Sequence, residues 1–392
     1  MKQTPFLFHR NRPSFTLVEL LVAIAILGSM AGLVLFALAG ARQDANIART
    51  RHTIEKINAV ILQEWEEFRY RAVRIDVDST WLRPDRGLGG QPLLSPREGA
   101  RLRMMVLRDW MRMELPDRVT DVWYPPTAYK TVLRTANNNP NDDVPFYVGQ
   151  STAAPLGQRH VPPRWNIYRS RVGLASIASP FSGSVAPQPA TLPPNINGIN
   201  QGAEWLYQIV ATSTYQGGSA LEAFRPQEIG DTDDDGLPEF IDAWGNPIRW
   251  LRWPAGFPSE LNRARGVANP DAMDPLRTDW RWIDANVNAN GKPWLLVPLI
   301  ISAGPDGVFD VAFDLDMDPN TAGDQPLAYA AMVWSGTTTS PAYGQAGPYY
   351  YPDPYFGVYG GNGGLGALFD EDQDGTTNGA ADNITNHSLL LE

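Results

Sequence analysis

The chain has 392 residues, enough for one large domain or two modest ones around a buried core. Its formal net charge of −11 argues against a broad basic face for nucleic acid, and its lack of cysteine excludes disulfide staples and thiolate metal sites. Thirty-five Gly and 34 Pro predict long irregular stretches, while 13 Trp, 14 Tyr and 14 Phe supply apolar surface that a disordered composition lacks.

Residues Met1–Ser14 carry Lys2, Arg10 and Arg12 and no acid. An apolar run starts at Phe15-Thr-Leu-Val-Glu19-Leu-Leu and continues to Gly40, without a charge after Glu19. As a helix, Phe15–Gly40 spans about 39 Å at 1.5 Å per residue, more than a bilayer core of about 30 Å. The basic leader stays cytoplasmic and places everything after Arg42 outside. The run is too long for a secretory signal peptide, and cleavage after Ala39 would leave Glu19 unexplained. A plain signal anchor is the stronger rival. Yet a carboxylate in such a segment costs about 2–3 kcal/mol at the membrane centre, less near an end, and an anchor gives it no task.

Ser14 followed by Phe15-Thr-Leu-Val-Glu19-Leu-Leu resembles the start of type IV pilins and pseudopilins. In that family a prepilin peptidase cuts before the Phe on the cytoplasmic side, and the new N-terminus is methylated. A Glu five residues into the mature chain pairs with the terminal amine of a neighbouring subunit. The resemblance therefore implies processing between Ser14 and Phe15 and an assembly role for Glu19. The family usually has Gly before the cut, where this chain has Ser14.

Ile47, Ile54, Ile57, Ile61, Trp65, Phe68 and Ala72 follow helical spacing and predict an amphipathic continuation packed on a core. Arg49, Arg51, Glu55, Lys56, Glu64 and Glu66 fill much of the remaining surface. Beyond it a helix is expected around Arg97–Glu114, and loops at Ala136–Pro145 and Ser176–Asn200. A short helix over Gly202–Thr212 turns Trp205, Leu206, Ile209 and Val210 inward, and strand-like runs follow at Pro247–Trp253, Leu295–Ser302 and Tyr329–Trp334.

A second resemblance lies in this half. Asp242-Ala-Trp-Gly-Asn-Pro-Ile-Arg-Trp and Ile301-Ser-Ala-Gly-Pro-Asp306-Gly look like two successive segments of the major pseudopilin of type II secretion systems. There they belong to a small C-terminal β-sheet and a calcium-binding loop. This chain is much longer than most members and inserts over a hundred residues between stem and sheet.

Metal chemistry can be read without the family. Asp231, Asp233, Asp235, Glu239 and Asp242 stand at positions 1, 3, 5, 9 and 12 of a calcium-type loop, with Gly236 at 6 and the Leu237 carbonyl at 7. Hard oxygen donors at alternating positions wrap one ion, and the Gly permits the sharp turn. A second copy runs Asp370, Asp372, Asp374 and Gly375, with Asn378 at position 9 but Ala381 at 12. A third, Asp314, Asp316 and Asp318, lacks the Gly. Solvated acidic turns would share this composition. The histidines are scattered, and there is no zinc-protease helix, phosphate-binding loop or nucleophile elbow. Gly361, Gly363 and Gly366 fit a dinucleotide pattern only formally, without the flanking strand and helix. No catalytic constellation emerges.

The sequence thus predicts an α+β protein: a long N-terminal transmembrane α-helix, then a large globular head ending in a small antiparallel β-sheet with calcium-type loops. Its divisions are a leader (1–14), the membrane helix (15–40), an amphipathic continuation (41–75), a Pro/Asn-rich insertion with some helix (76–200) and the sheet with Asp-rich loops (201–392). The implied role is a structural, minor or specialised pilin-like subunit of a type II secretion pseudopilus or related type IV filament, single-pass in the bacterial inner membrane with its head periplasmic or extracellular. Its partners are then other pilin subunits, prepilin peptidase and an inner-membrane secretion platform. The alternative is a surface-exposed binding or adhesion protein that uses the pilin export route.

Overall fold

The structure, a computed structural model, describes residues 16–73, 96–123, 128–131, 146–149, 161–173, 200–262, 264–282, 287–313, 332–333, 342–343, 353–355, 358 and 363–391. Ser14, Phe15, the 136–145 loop, the acids at 314–318 and nearly all of 176–200 lie outside them. Two compact units divide the chain, Met1–Ala48 and Arg49–Glu392.

Helix α1 runs Leu17–Tyr70. Within the first unit its most apolar stretch is long and apolar enough to cross a membrane, and none of that stretch is buried inside the chain. In water so large an apolar surface would seek cover; in lipid it is already solvated.

In the second unit the remainder of α1 buries Ile54, Ile57, Ile61, Trp65 and Phe68, on the face that the 3–4 spacing predicted, and with them Val60. Ile47 and Ala72 stay outside this buried set. Glu64, expected on the polar side, is instead buried and accepts two hydrogen bonds from Arg164, at 2.7 and 2.8 Å. A paired carboxylate tolerates burial that a lone one does not.

Among the described residues four helices follow: α2 (Pro96–Glu114), α3 (Val119–Trp123), α4 (Pro163–Arg171) and α5 (Gln201–Thr212). Between α3 and α4, β1 (Ala128–Thr131) pairs antiparallel with β2 (Phe146–Gly149). After α5 come two small hairpins, β3 (Thr214–Tyr215) with β4 (Gly218–Ser219), and β5 (Ile229–Gly230) with β6 (Glu239–Phe240). Strands β7 (Arg249–Leu251) and β8 (Leu299–Ser302) pair antiparallel, with Trp250 opposite Ile300. Between β8 and the C-terminus, β9 (Met332–Val333) pairs with β10 (Ala342–Tyr343). Strand β11 (Ile384–Thr385) then adds to the other edge of β8, giving a three-stranded order β11-β8-β7, and leads into the single turn α6 (Asn386–Leu389).

Leu251, Leu299, Ile301, Ala303, Phe309 and Val311 form one core cluster at this sheet. Helix α5 lies against β6 and β7, burying the Trp205, Leu206, Ile209 and Val210 face. Buried arginines paired with aspartates reinforce the unit. Arg108 meets Asp271 and Asp279 at 3.0 and 2.8 Å, and Arg252 meets Asp121 at 2.8 Å. These pairs cross more than a hundred residues of sequence, so no local pattern announced them.

Candidate functional site

Among the described residues, three places carry chemistry. At the start of α1, the Thr16 backbone N–H and hydroxyl both donate to Glu19 Oε2 at 2.9 Å, while the Glu19 N–H donates to Thr16 Oγ1 at 3.2 Å. This is a reciprocal capping box, which satisfies amides that a helix start leaves without partners. The Thr16-x-x-Glu19 spacing was legible in the sequence, and it gives Glu19 a local task in addition to the one its position implies.

The second place is the turn between β5 and β6. Asp231 accepts the N–H groups of Asp235 (3.2 Å) and Gly236 (3.0 Å), and Asp235 Oδ1 accepts the N–H of Leu237 at 2.7 Å. The loop at Asp370 repeats this arrangement. Asp370 accepts from Asp374 and Gly375 at 3.0 and 2.9 Å, and Asp374 Oδ1 accepts from Thr376 at 2.7 Å. Position 6 has φ +89° in both loops, at Gly236 and Gly375, a left-handed value that suits glycine. The same sequence pattern therefore gives the same local conformation twice.

The loops differ in their surroundings. Carboxylate oxygens of Asp231, Asp233 and Asp235 lie within 4.8 Å of one another, as do those of Glu204, Asp233 and Glu239. Glu204 comes from α5 and is 1% exposed; Glu239 begins β6 and is 0% exposed. Among the described residues, neither oxygen of Glu204 meets an N–H or hydroxyl donor, nor do Glu239 Oε1 and Asp235 Oδ2, while the Glu204 and Asp235 carboxyls face each other within hydrogen-bonding reach. Glu239 Oε2 accepts from the Thr232 N–H at 3.0 Å. Burial, then the charges of Asp235, Asp233 and Glu239, pushes the Glu204 carboxyl up to about 9. Burial, with Asp233, Asp231 and Asp235, pushes Glu239 up to about 7 against the pull of the Thr232 N–H.

Asp242 is in neither group. Its Oδ1 accepts the N–H groups of Trp244 and Asn246, both at 2.9 Å, and its Oδ2 accepts the Ser302 hydroxyl at 2.8 Å. It thus joins the Asp242-Ala-Trp-Gly-Asn-Pro turn to the end of β8, where the Ser302-Ala-Gly-Pro-Asp306-Gly loop begins. The two segments that look like a pseudopilin head are neighbours in space.

In the C-terminal loop, Asp310, Asp370 and Asp372 form the third close carboxylate group. Asp310 is already committed, accepting the N–H groups of Glu371 and Gly379 at 3.0 and 2.9 Å. Asp370 is half-buried, while Asp372, Asp374 and Asn378 are exposed, and Asn378 Oδ1 accepts the Thr376 hydroxyl. Sequence reading named neither Glu204 nor Asp310, because each reaches its loop from a distant element.

Comparison with curated proteins and with solved structures gives no match. One family model does match, that of the prokaryotic N-terminal methylation motif, over residues 9–35. The chain therefore carries, on its apolar N-terminal helix, the signature of type IV pilins and pseudopilins.

Proposed function

We propose that this chain is a structural subunit of a type II secretion pseudopilus or a related type IV filament, minor or specialised because so large a head crowds a close-packed fibre. The observation that carries this reading is the methylation motif at residues 9–35, placed at the start of a membrane-capable helix. The Asp242–Ser302 bond adds support, since it unites the two segments resembling the pseudopilin sheet and loop. In this reading a prepilin peptidase cuts between Ser14 and Phe15, the helix stays in the inner membrane, and the second unit faces the periplasm or the exterior. Other pilin subunits and the secretion platform are its partners. The head is a packing and contact surface, with no catalytic role.

The same reading assigns calcium to the Asp231–Glu239 loop and, with fewer donors, to the Asp370–Asp374 loop. The donor set is all oxygen, which suits a hard cation, and modules outside the cell bind calcium at about 10⁻⁴–10⁻³ M. The buried oxygens of Glu239 and Asp235 that meet no N–H or hydroxyl donor among the described residues fit that assignment.

Mass spectrometry of membranes from cells with an active prepilin peptidase tests the core of the proposal. A mature peptide beginning at methylated Phe15 is expected. Recovery of intact Met1 chains alone would overturn it.

A further inference from the structure

We propose that Glu204 of helix α5 is a ligand of the divalent cation held by the Asp231–Glu239 loop, closing the site from the core side together with Asp233 and Glu239. The inference rests on the calcium reading of that loop and adds a ligand that lies outside it.

The loop is incomplete by itself. A calcium loop of this spacing closes with a carboxylate at position 12, and here that residue, Asp242, is held by Trp244, Asn246 and Ser302. Glu204 supplies the missing carboxylate from the opposite side. Its oxygens lie within 4.8 Å of those of Asp233 and Glu239. Oxygens across a calcium ion bound at 2.3–2.6 Å are separated by about 4.6–5.2 Å, so one ion spans the gap.

Burial makes the case specific. Glu204 is 1% exposed, and among the described residues neither of its oxygens meets an N–H or hydroxyl donor, its hydrogen-bond neighbour being the Asp235 carboxyl. A buried polar group in a folded protein is almost always satisfied, and a buried glutamate set beside Asp233, Asp235 and Glu239 calls for a cation. The helix is also tied to the loop where they meet. Asn200, which precedes α5, donates through Nδ2 to Thr232 Oγ1 at 2.8 Å and to Asp233 Oδ2 at 3.3 Å. The donors are all oxygen, which selects calcium over zinc or copper. Binding would therefore fasten the start of α5, and through it the apolar face packed on β6 and β7, to the β5–β6 turn.

The test uses the full chain in detergent micelles, stripped with chelator and titrated with calcium chloride by calorimetry. Thermal melts follow tryptophan fluorescence. Wild type is compared with Glu204→Gln, Asp233→Asn and Asp372→Asn. Glu204→Gln should weaken one calcium site at least about tenfold, Asp233→Asn should weaken the same site, and Asp372→Asn should leave it intact. In chelator Glu204→Gln should melt at or above wild type, because the amide removes a buried acid facing other acids. A variant that merely misfolds would melt lower, and that result would overturn the inference. Wild-type affinity in Glu204→Gln, with binding lost in Asp233→Asn, would also overturn it while leaving the loop reading standing. No heat and no melting shift in wild type at millimolar calcium would remove both.

Discussion

Replacing Asn386 by Leu should destabilise the second unit by about 2–4 kcal/mol, because this side chain joins helix α1 to the C-terminal sheet. Asn386 is fully buried. Its Oδ1 accepts the Ile300 N–H at 2.8 Å, and its Nδ2 donates to the Pro298 carbonyl and to Asn58 Oδ1, each at 2.9 Å. Leu has a similar volume, so the loss is chiefly one of hydrogen bonds and not of packing. The Ile300 N–H is stranded outright, at about 1–3 kcal/mol. Asn58, 9% exposed, loses a donor but keeps some access to water, and the Pro298 carbonyl still faces His387 Nε2 at 3.2 Å. The remaining loss is therefore about 1 kcal/mol. Chemical denaturation in detergent micelles, followed by tryptophan fluorescence, measures this directly. Every Trp lies beyond Ala48, so the signal reports the second unit alone. Asn58→Leu should cost less, because Asn386 keeps its two backbone partners. The double variant should fall short of the sum of the singles, with a coupling of about 0.5–1 kcal/mol. A loss below about 1 kcal/mol for Asn386→Leu would refute the reasoning, showing that the freed groups find other partners.

Two further predictions concern assembly and pH. Glu19→Val should insert normally yet fail to join filaments, and Glu19→Gln, which keeps an acceptor for Thr16, should fail as well. Crosslinking of Glu19→Gln into multimers at the wild-type level would leave Glu19 only its capping role. His387 is buried beside Phe257 with Nε2 facing the carbonyls of Val297 and Pro298, and burial pushes it down from 6.5 to about 4. The unfolded chain therefore takes up this proton first. The stability it contributes is complete above pH 6.5 and is lost as the pH falls toward 4, by at most about 1.4 kcal/mol per pH unit. His387→Gln should remove that slope relative to wild type in denaturation curves at pH 6.5, 5.5 and 4.5, and parallel curves for the two proteins would contradict it.

What the sequence determined by itself is whatever contiguous residues decide. The Phe15–Glu19 motif, the uncharged run to Gly40 and the apolar stripe through Ile54, Ile57, Ile61, Trp65 and Phe68 are each written at helical or membrane spacing. The Asp-x-Asp-x-Asp-Gly loops set their own turns, because the hydrogen bonds that shape them span five residues or fewer, as between Asp231 and Gly236. Even the Glu19 capping box was local, and only its reading was missed.

Only the tertiary structure decided which distant groups meet. It withdrew Asp242 to Ser302, set Glu204 of α5 beside Asp233 and Glu239, buried Glu64 against Arg164, and paired Ile384–Thr385 with the far edge of β8. A carboxylate reads the same in sequence whether it faces water, an arginine or other carboxylates. Its role follows from the dielectric and the partners around it, and those come from elements dozens to hundreds of residues away.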